Sequence, residues 1–291
     1  MRSLLFVPGH DARKLEKGLT CGADALILDL EDAVPEAEKP RAREVCAAFL
    51  SQHRHTHRLI VRVNALNSGH LLDDLAAVVG AAPWGIMLPK CESVADLSRV
   101  DAYLSALEVR EGLDSGGLRV LPIVTENAVA VLGMSGYARE ENRRLCGMLW
   151  GGEDLATDVG VLNNRTPQGT YTALFQMARA MTLLSATTSR VMAVDAVYTD
   201  FRDAEGLRAE ALEARRDGFT AKAAIHPAQV SIINEVFSPS DEEVAWSRQV
   251  IAAFAASPQA GSISIDGKML DRPHYLAAKR VLEQSDGISR V

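Results

Sequence analysis

The chain has 291 residues, 47% of them hydrophobic and 24% charged, and a formal net charge of −7. These proportions suit a soluble globular protein with a substantial core, and an acidic balance with no Lys/Arg run excludes a nucleic-acid partner that needs a concentrated basic surface. No stretch approaches the roughly 18 uninterrupted apolar residues of a membrane span, and the N-terminal apolar run is too short for a signal-peptide core. Cys21, Cys46, Cys91 and Cys146 form no CxxC pair, so they read as small apolar residues in a reducing cytoplasm.

Taken in chain order, short β-rich runs alternate with segments of helical spacing. The runs are Ser3–Val7, Ala25–Leu30, Leu59–Val63, Gly85–Pro89, Arg119–Thr125, Leu145–Trp150, Val191–Val197 and Ala221–His226. ALILDL and LIVRVN carry little internal polarity, as strands buried on both faces of a parallel sheet do. VADLSRVDAYLSAL and AEGLRAEALEARRDG place apolar residues three and four apart, and Gly218 marks the end of the second. Eight such units predict a (β/α)8 TIM barrel over residues 1–240, with an open doubly wound sheet as the weaker option. Residues 241–291 read as a C-terminal extension. SPSDEEVAWSRQVIAAFAAS has a helix-cap signal with three acids near its start, a glycine-containing stretch follows as a mobile lid, and HYLAAKRVLEQ closes the chain as a helix.

In a barrel the chemistry sits where the strands end, so the polar residues at those ends matter most. They are Asp29, Glu31 and Asp32, then Arg62 and Asn64, Lys90, Glu126, Glu153 and Asp154, Asp195 and Asp200, and His226. Carboxylates alternating with cations suit a hard divalent cation together with an anionic substrate. Within LWGGEDLATDVG, neighbours in an extended segment point to opposite sides, so Glu153 and Asp154 cannot both easily face one mouth, and Asp158 lies a helical turn beyond. HRHTHR places His53, His55 and His57 two apart. It precedes the third strand, at the end opposite the mouth, and reads as a solvated loop rather than a metal site.

Nine segments then appear in a familiar order: RSLLFVPG, DALILDLEDAVPEAEKPRAR, VRVN, IMLPKCES, IVTEN, WGGEDL, DAVYTDFRDAEGL, IHPAQV and DGKMLDRP. In these the chain resembles the citrate lyase β-subunit-like family of the HpcH/HpaI aldolase superfamily, which also holds malyl-CoA and citramalyl-CoA lyases. The resemblance implies a metal-dependent barrel enzyme, homo-oligomeric as a trimer or hexamer, that cleaves or forms a carbon–carbon bond between an acyl-CoA and a 2-oxo acid.

Carried over by position, the metal ligands fall on Glu126 and Asp154, with Mg²⁺ expected and Mn²⁺ as the substitute. The substrate arginine falls on Arg62, the glycine pair whose amides approach the substrate carboxylate on Gly151 and Gly152, and the lid aspartate on Asp271. Arg62 would stabilise the thioester enolate, and Asp271 would transfer the proton at the acyl carbon. Coenzyme A, as part of the substrate, would meet Arg13, Lys14 and Lys17 in the loop after the first strand. Asn127 and Ala130 depart from the family's usual threonine and glycine, on what reads as the substrate-facing side of the fifth loop. Three alternatives stand beside this reading: a CoA-independent class II aldolase of 4-hydroxy-2-oxo acids, a β subunit of a multi-subunit citrate lyase acting on a carrier-bound substrate, and a silent metal-binding scaffold.

Overall fold

The run Ala25–Asp29 is buried at every position, as a strand with helices on one side and a barrel interior on the other must be. The structure is a computed structural model and describes residues 1–139 and 142–289. In chain order the elements are β1 (Ser3–Pro8), α1 (Ala12–Leu19), β2 (Ala25–Asp29), α2 (Lys39–His53), β3 (Leu59–Arg62), α3 (Leu71–Val78), β4 (Gly85–Leu88) and α4 (Val94–Glu111). There follow β5 (Arg119–Pro122), α5 (Ala128–Gly133), β6 (Gly147–Leu149), α6 (Glu153–Asp158), α7 (Ala173–Ser189), β7 (Met192–Asp195), α8 (Ala204–Asp217), β8 (Ala221–Ala224) and α9 (Pro227–Val236). All eight expected strands are present.

These strands form one parallel sheet in the order β5-β4-β3-β2-β1-β8-β7-β6. Parallel bridges Val120↔Leu145 and Ile123↔Leu149 bring β5 against β6, so the sheet closes on itself as the predicted barrel. Inward-facing Leu4, Ile27, Ile60, Met87, Leu121, Leu149, Val194 and Ala223 fill the interior, so the barrel is a packed core and ligands must bind at its ends. Strands β5 and β6 are shorter than expected. Pro122, lacking an N–H, interrupts regular pairing there and leaves single bridges to complete the seam.

Register decides which charges meet. Asp29 of β2 lies opposite Arg62 of β3, and Asp195 of β7 opposite Lys222 of β8. Lys222 is fully buried, and its ammonium donates to Asp195 Oδ2 at 2.6 Å, to the Ala196 carbonyl at 2.7 Å and to Glu210 Oε1 at 2.8 Å, satisfying its three donors. Burial pulls this ammonium toward neutrality, but Asp195 and Glu210 outweigh it and hold the proton on. Asp195 is therefore an interior ion-pair partner and not the rim residue its place at a strand end suggests. Its Oδ1 also accepts from Trp150 Nε1 at 2.8 Å and Arg179 Nε at 3.0 Å.

The described residues divide into two compact units, 1–234 and 235–291, so the division falls before the expected boundary at 240. The Ser-Pro signal marks the start of α10 (Asp241–Ala256), whose capping box pairs Ser240 with Glu243 in both directions. The segment expected as a lid forms a β-hairpin, β9 (Ser262–Ile265) against β10 (Lys268–Asp271), followed by α11 (Arg272–Ser289). Asp266 and Gly267 both take left-handed φ, 48° and 76°, the conformation a two-residue hairpin turn requires. Val250, Leu270 and Ala278 form this unit's own small core.

Replacing Lys222 by methionine leaves the buried Asp195 carboxylate short of its main partner. We expect Lys222→Met to lower stability by about 3–5 kcal/mol, read by urea denaturation; a loss below about 1 kcal/mol would show that Arg179 alone suffices.

Candidate active site

The C-terminal ends of the strands surround a cavity of about 440 Å³. Its apolar wall is Phe6, Ile123, Leu149, Trp150, Tyr171, Val197 and Ile225, and its polar groups are Asp29, Asp32, Arg62, Glu126, Glu153 and Asp154. Of the sequence-derived site residues, the cavity thus gathers Arg62, Glu126, Gly151, Gly152 and Asp154.

Arg62 is held by the DLED segment. Its Nε donates to Asp29 Oδ1 at 2.7 Å and Nη2 to Asp29 Oδ2 at 2.6 Å, a planar fork that follows from their shared register. Nη1 lies 3.1 Å from Glu31 Oε2 and 3.6 Å from Asp32 Oδ2, and the guanidinium covers the face of Phe6. The same Asp29 oxygens accept the backbone N–H groups of Glu31 and Ala33, which folds DLEDAV into a turn. Burial disfavours the guanidinium charge, but Asp29 outweighs it and Arg62 stays protonated. Arg62 therefore combines an ion-pair role with a place on the cavity wall.

Glu126 is only 4% exposed, and Asp154, at the N-terminal end of α6, is 39% exposed on its side chain. Burial drives the Glu126 acid up to about 8, with Glu31 and Asp154 adding to the rise and the Lys90 amide opposing it. Lys90 links these carboxylates: its backbone N–H donates to Glu126 Oε2, and its ammonium lies 2.6 Å from Glu31 Oε1 and 3.6 Å from Asp154 Oδ1. In the sequence Lys90 stands out only as a polar residue after the fourth strand. Its one visible signal was the Pro-Lys pair closing β4 in IMLPKCES.

Gly151 and Gly152 differ in what they require. A Cβ on Gly151 would stand 2.9 Å from Glu126 Cγ and 3.3 Å from Ile123 Cγ2, whereas on Gly152 the nearest atom is Trp150 Cζ3 at 3.1 Å. Gly151 is also tied to Thr125, accepting from its hydroxyl and donating back to it. Behind them Trp150 packs edge-on against Tyr171, whose hydroxyl accepts from Arg165 Nη2 at 2.7 Å.

Other residues are engaged by partners of their own. Glu153 lines the cavity, but its Oε1 accepts from Asn164, and Asp158 accepts from the Ala128 amide, tying α6 to α5. Asn127 caps α5 by accepting from the Ala130 amide and donates to Glu92, and Ala130 is buried. These two departures are therefore helix-start features, not substrate-facing ones. Lys14 and Lys17 border a second cavity of about 320 Å³ that shares Phe6, Val7, Pro8 and Ile225 with the first. Arg13 is exposed and does not line it. His226 also borders this second cavity, and its Nδ1 accepts from the Ala228 amide at the start of α9.

Asp271 ends β10 in the second unit, where its Oδ1 sits 2.6 Å from His274 Nδ1. His53 ends α2 beside Phe49 and Glu16, so HRHTHR is a helix end and turn. Among the described residues no group of three or more His, Cys, Asp or Glu could hold a metal, and no helix is long and apolar enough to cross a membrane.

The chain matches the profile of the HpcH/HpaI aldolase/citrate lyase family over residues 2–227. It is 36% identical over 291 residues to a (3S)-malyl-CoA thioesterase of Cereibacter sphaeroides, covering 99% of this chain and 95% of that protein. It is 32% identical over 281 residues to a citrate lyase subunit beta-like protein of Mycobacterium tuberculosis, covering 97% and 94% of the two. The crystal structure of CitE from Mycobacterium tuberculosis in complex with magnesium, acetoacetate and coenzyme A superposes with a TM-score of 0.78 at 31% identity, covering 98% of each chain.

The asymmetry of the glycine pair is testable. Gly151→Ala forces Glu126 aside and should cost about 1–3 kcal/mol, with Glu126 displaced in a crystal structure of the variant. Gly152→Ala should cost clearly less by the same denaturation assay, and equal losses would refute the contact argument.

Proposed function

The chain belongs to the HpcH/HpaI aldolase/citrate lyase family, and from that premise we propose that it is a Mg²⁺-dependent lyase of a 3-hydroxyacyl-CoA such as malyl-CoA or citramalyl-CoA. The products would be acetyl-CoA with glyoxylate from malyl-CoA or with pyruvate from citramalyl-CoA, and propionyl-CoA with glyoxylate from methylmalyl-CoA. The observation that carries this is the donor set of one cavity: two carboxylates, Glu126 and Asp154, beside Arg62 and a glycine pair. With no imidazole or thiolate in that lining, the donors suit a hard cation. Mg²⁺ takes one or two carboxylates and completes its shell with substrate and water, so a pair of protein ligands is what it needs. Gly151 leaves the Glu126 carboxyl room that a side chain would fill. Magnesium with acetoacetate, and with oxaloacetate, in the Mycobacterium tuberculosis relatives supports the same reading.

When bound, the cation supplies Lewis acidity at the substrate's hydroxyl or keto oxygen. The protein's own groups supply the rest. Asp29 holds the Arg62 guanidinium so that its remaining donors stay aimed at one place, and that fixed charge lowers the energy of the thioester enolate as the C–C bond breaks. The hydroxyl proton leaves as the 2-oxo acid forms, and the enolate carbon takes a proton in return. Asp271, paired with His274, is the proposed acid for that second transfer. Phe6, Trp150 and Tyr171 give the wall a low-dielectric surface that strengthens these interactions. Lys14 and Lys17 at the adjoining cavity would meet the phosphates of coenzyme A.

A second reading, hydrolysis of the thioester, is favoured by the relative named (3S)-malyl-CoA thioesterase. The two separate by product: with malyl-CoA and Mg²⁺, lysis releases glyoxylate and acetyl-CoA, whereas hydrolysis releases malate and free coenzyme A. Turnover of a 4-hydroxy-2-oxo acid without coenzyme A would instead identify an aldolase.

We expect Glu126→Ala and Asp154→Ala each to lower Mg²⁺-dependent kcat/KM by at least about a hundredfold, and Glu153→Ala by less than about tenfold. If neither ligand variant loses activity, this site assignment is wrong.

A further inference from the structure

Lys90 stands in the left-handed region at φ 49°. A residue with a Cβ is disfavoured there relative to ordinary backbone. Such an outlier persists where surrounding contacts hold it, and the contacts here all lead to one place. The amide donates to Glu126 Oε2. The ammonium, on the same residue, lies 2.6 Å from Glu31 Oε1, 3.6 Å from Asp154 Oδ1 and 3.8 Å from Asp32 Oδ1. One residue thus joins carboxylates that follow β2, β5 and β6. Glu31 is gripped from both sides, because Arg62 Nη1 approaches its other oxygen at 3.1 Å.

We propose that Lys90 is a built-in counter-cation that positions Glu31, Glu126 and Asp154, and that a divalent cation binds between Glu126 and Asp154 against the repulsion of its ammonium. This rests on the metal reading of the site given above. The mouth carries Asp29, Glu31, Asp32, Glu126 and Asp154 against Arg62 and Lys90. Arg62 is already paired with Asp29, so Lys90 is the cation that faces both proposed ligands. It keeps the carboxylates from spreading under mutual repulsion, and it sets a ceiling on cation affinity, since like charges a few ångströms apart oppose each other strongly in a partly buried site. The Lys90 amide, which every side-chain variant keeps, goes on holding Glu126, so loss of the ammonium removes chiefly the repulsion; a lysine whose ammonium served only to order the carboxylates would show the opposite, a weaker site on its loss.

Calorimetric titration of the full chain with Mg²⁺ alone distinguishes these. Lys90→Met should bind Mg²⁺ about tenfold more tightly than wild type or better, and Lys90→Arg, which restores a cation, should return Kd toward the wild-type value. Lys90→Gly keeps the amide, relieves the left-handed backbone and lacks the ammonium. It should bind as tightly as Lys90→Met, so it serves if the methionine variant folds poorly. A folded Lys90→Met or Lys90→Gly protein that binds Mg²⁺ no more tightly than wild type overturns the proposal and leaves the metal reading intact. Wild-type protein that takes up no Mg²⁺ in the same titration overturns the metal reading and the proposal with it.

Discussion

The ion pair between Asp29 and Arg62 organises the mouth of this barrel. Parallel register sets the two side by side on β2 and β3, and the fork geometry fixes the guanidinium in a plane. Because Asp29 also accepts the amides of Glu31 and Ala33, the turn that delivers Glu31 is built on the same carboxylate. Charges then alternate in a continuous chain from Asp29 through Arg62, Glu31 and Lys90 to Asp154. Strands far apart in sequence are tied at one end of the barrel by interactions that none could make alone.

A second register pair supports the opposite wall. Asp195 and Lys222, adjacent on β7 and β8, are buried, and Asp195 reaches Trp150 with its other oxygen. Trp150 immediately precedes the glycine pair, so the position of Gly151 against Glu126 is set partly by an ion pair inside the protein. Burial in itself disfavours these charges. Their retention is understandable here because every donor of Lys222 has a partner and the pair orients an indole at the cavity wall.

The barrel was legible because period and length agreed: eight short apolar runs with helical spacing between them admit few topologies. Among site residues, Glu126, Asp154, Arg62 and both glycines do converge on one cavity, and their places at strand ends made that readable. Asp195 was misplaced because a strand-end position does not reveal which way a side chain turns, and an opposite charge 27 residues on, in the next strand, captured it. Asn127 looked substrate-facing for the same reason, although a helix starting at the next residue made it a cap. The hairpin's strands were missed because the stretch was read by its glycines alone, although Asp-Gly between SISI and KML is a turn signal. Lys90 shows what no pattern contains: its importance depends on a φ angle and on carboxylates 36 and 59 residues away.

The acidity of the mouth bears on the proposed chemistry. A substrate bearing a carboxylate and the phosphates of coenzyme A approaches a rim where carboxylates outnumber cations, and no arrangement of Arg62 and Lys90 alone reverses that balance. A divalent cation between Glu126 and Asp154 would change the local sign at the point where the acid end of the substrate must sit, while Lys14 and Lys17 offer a separate basic edge for the phosphates. Cation and acyl-CoA recognition then fall on different parts of the barrel mouth, joined by the shared wall of Phe6, Val7, Pro8 and Ile225. On this reading the excess negative charge is what makes substrate binding conditional on the cation, since the same carboxylates that attract the metal repel an unaccompanied acid.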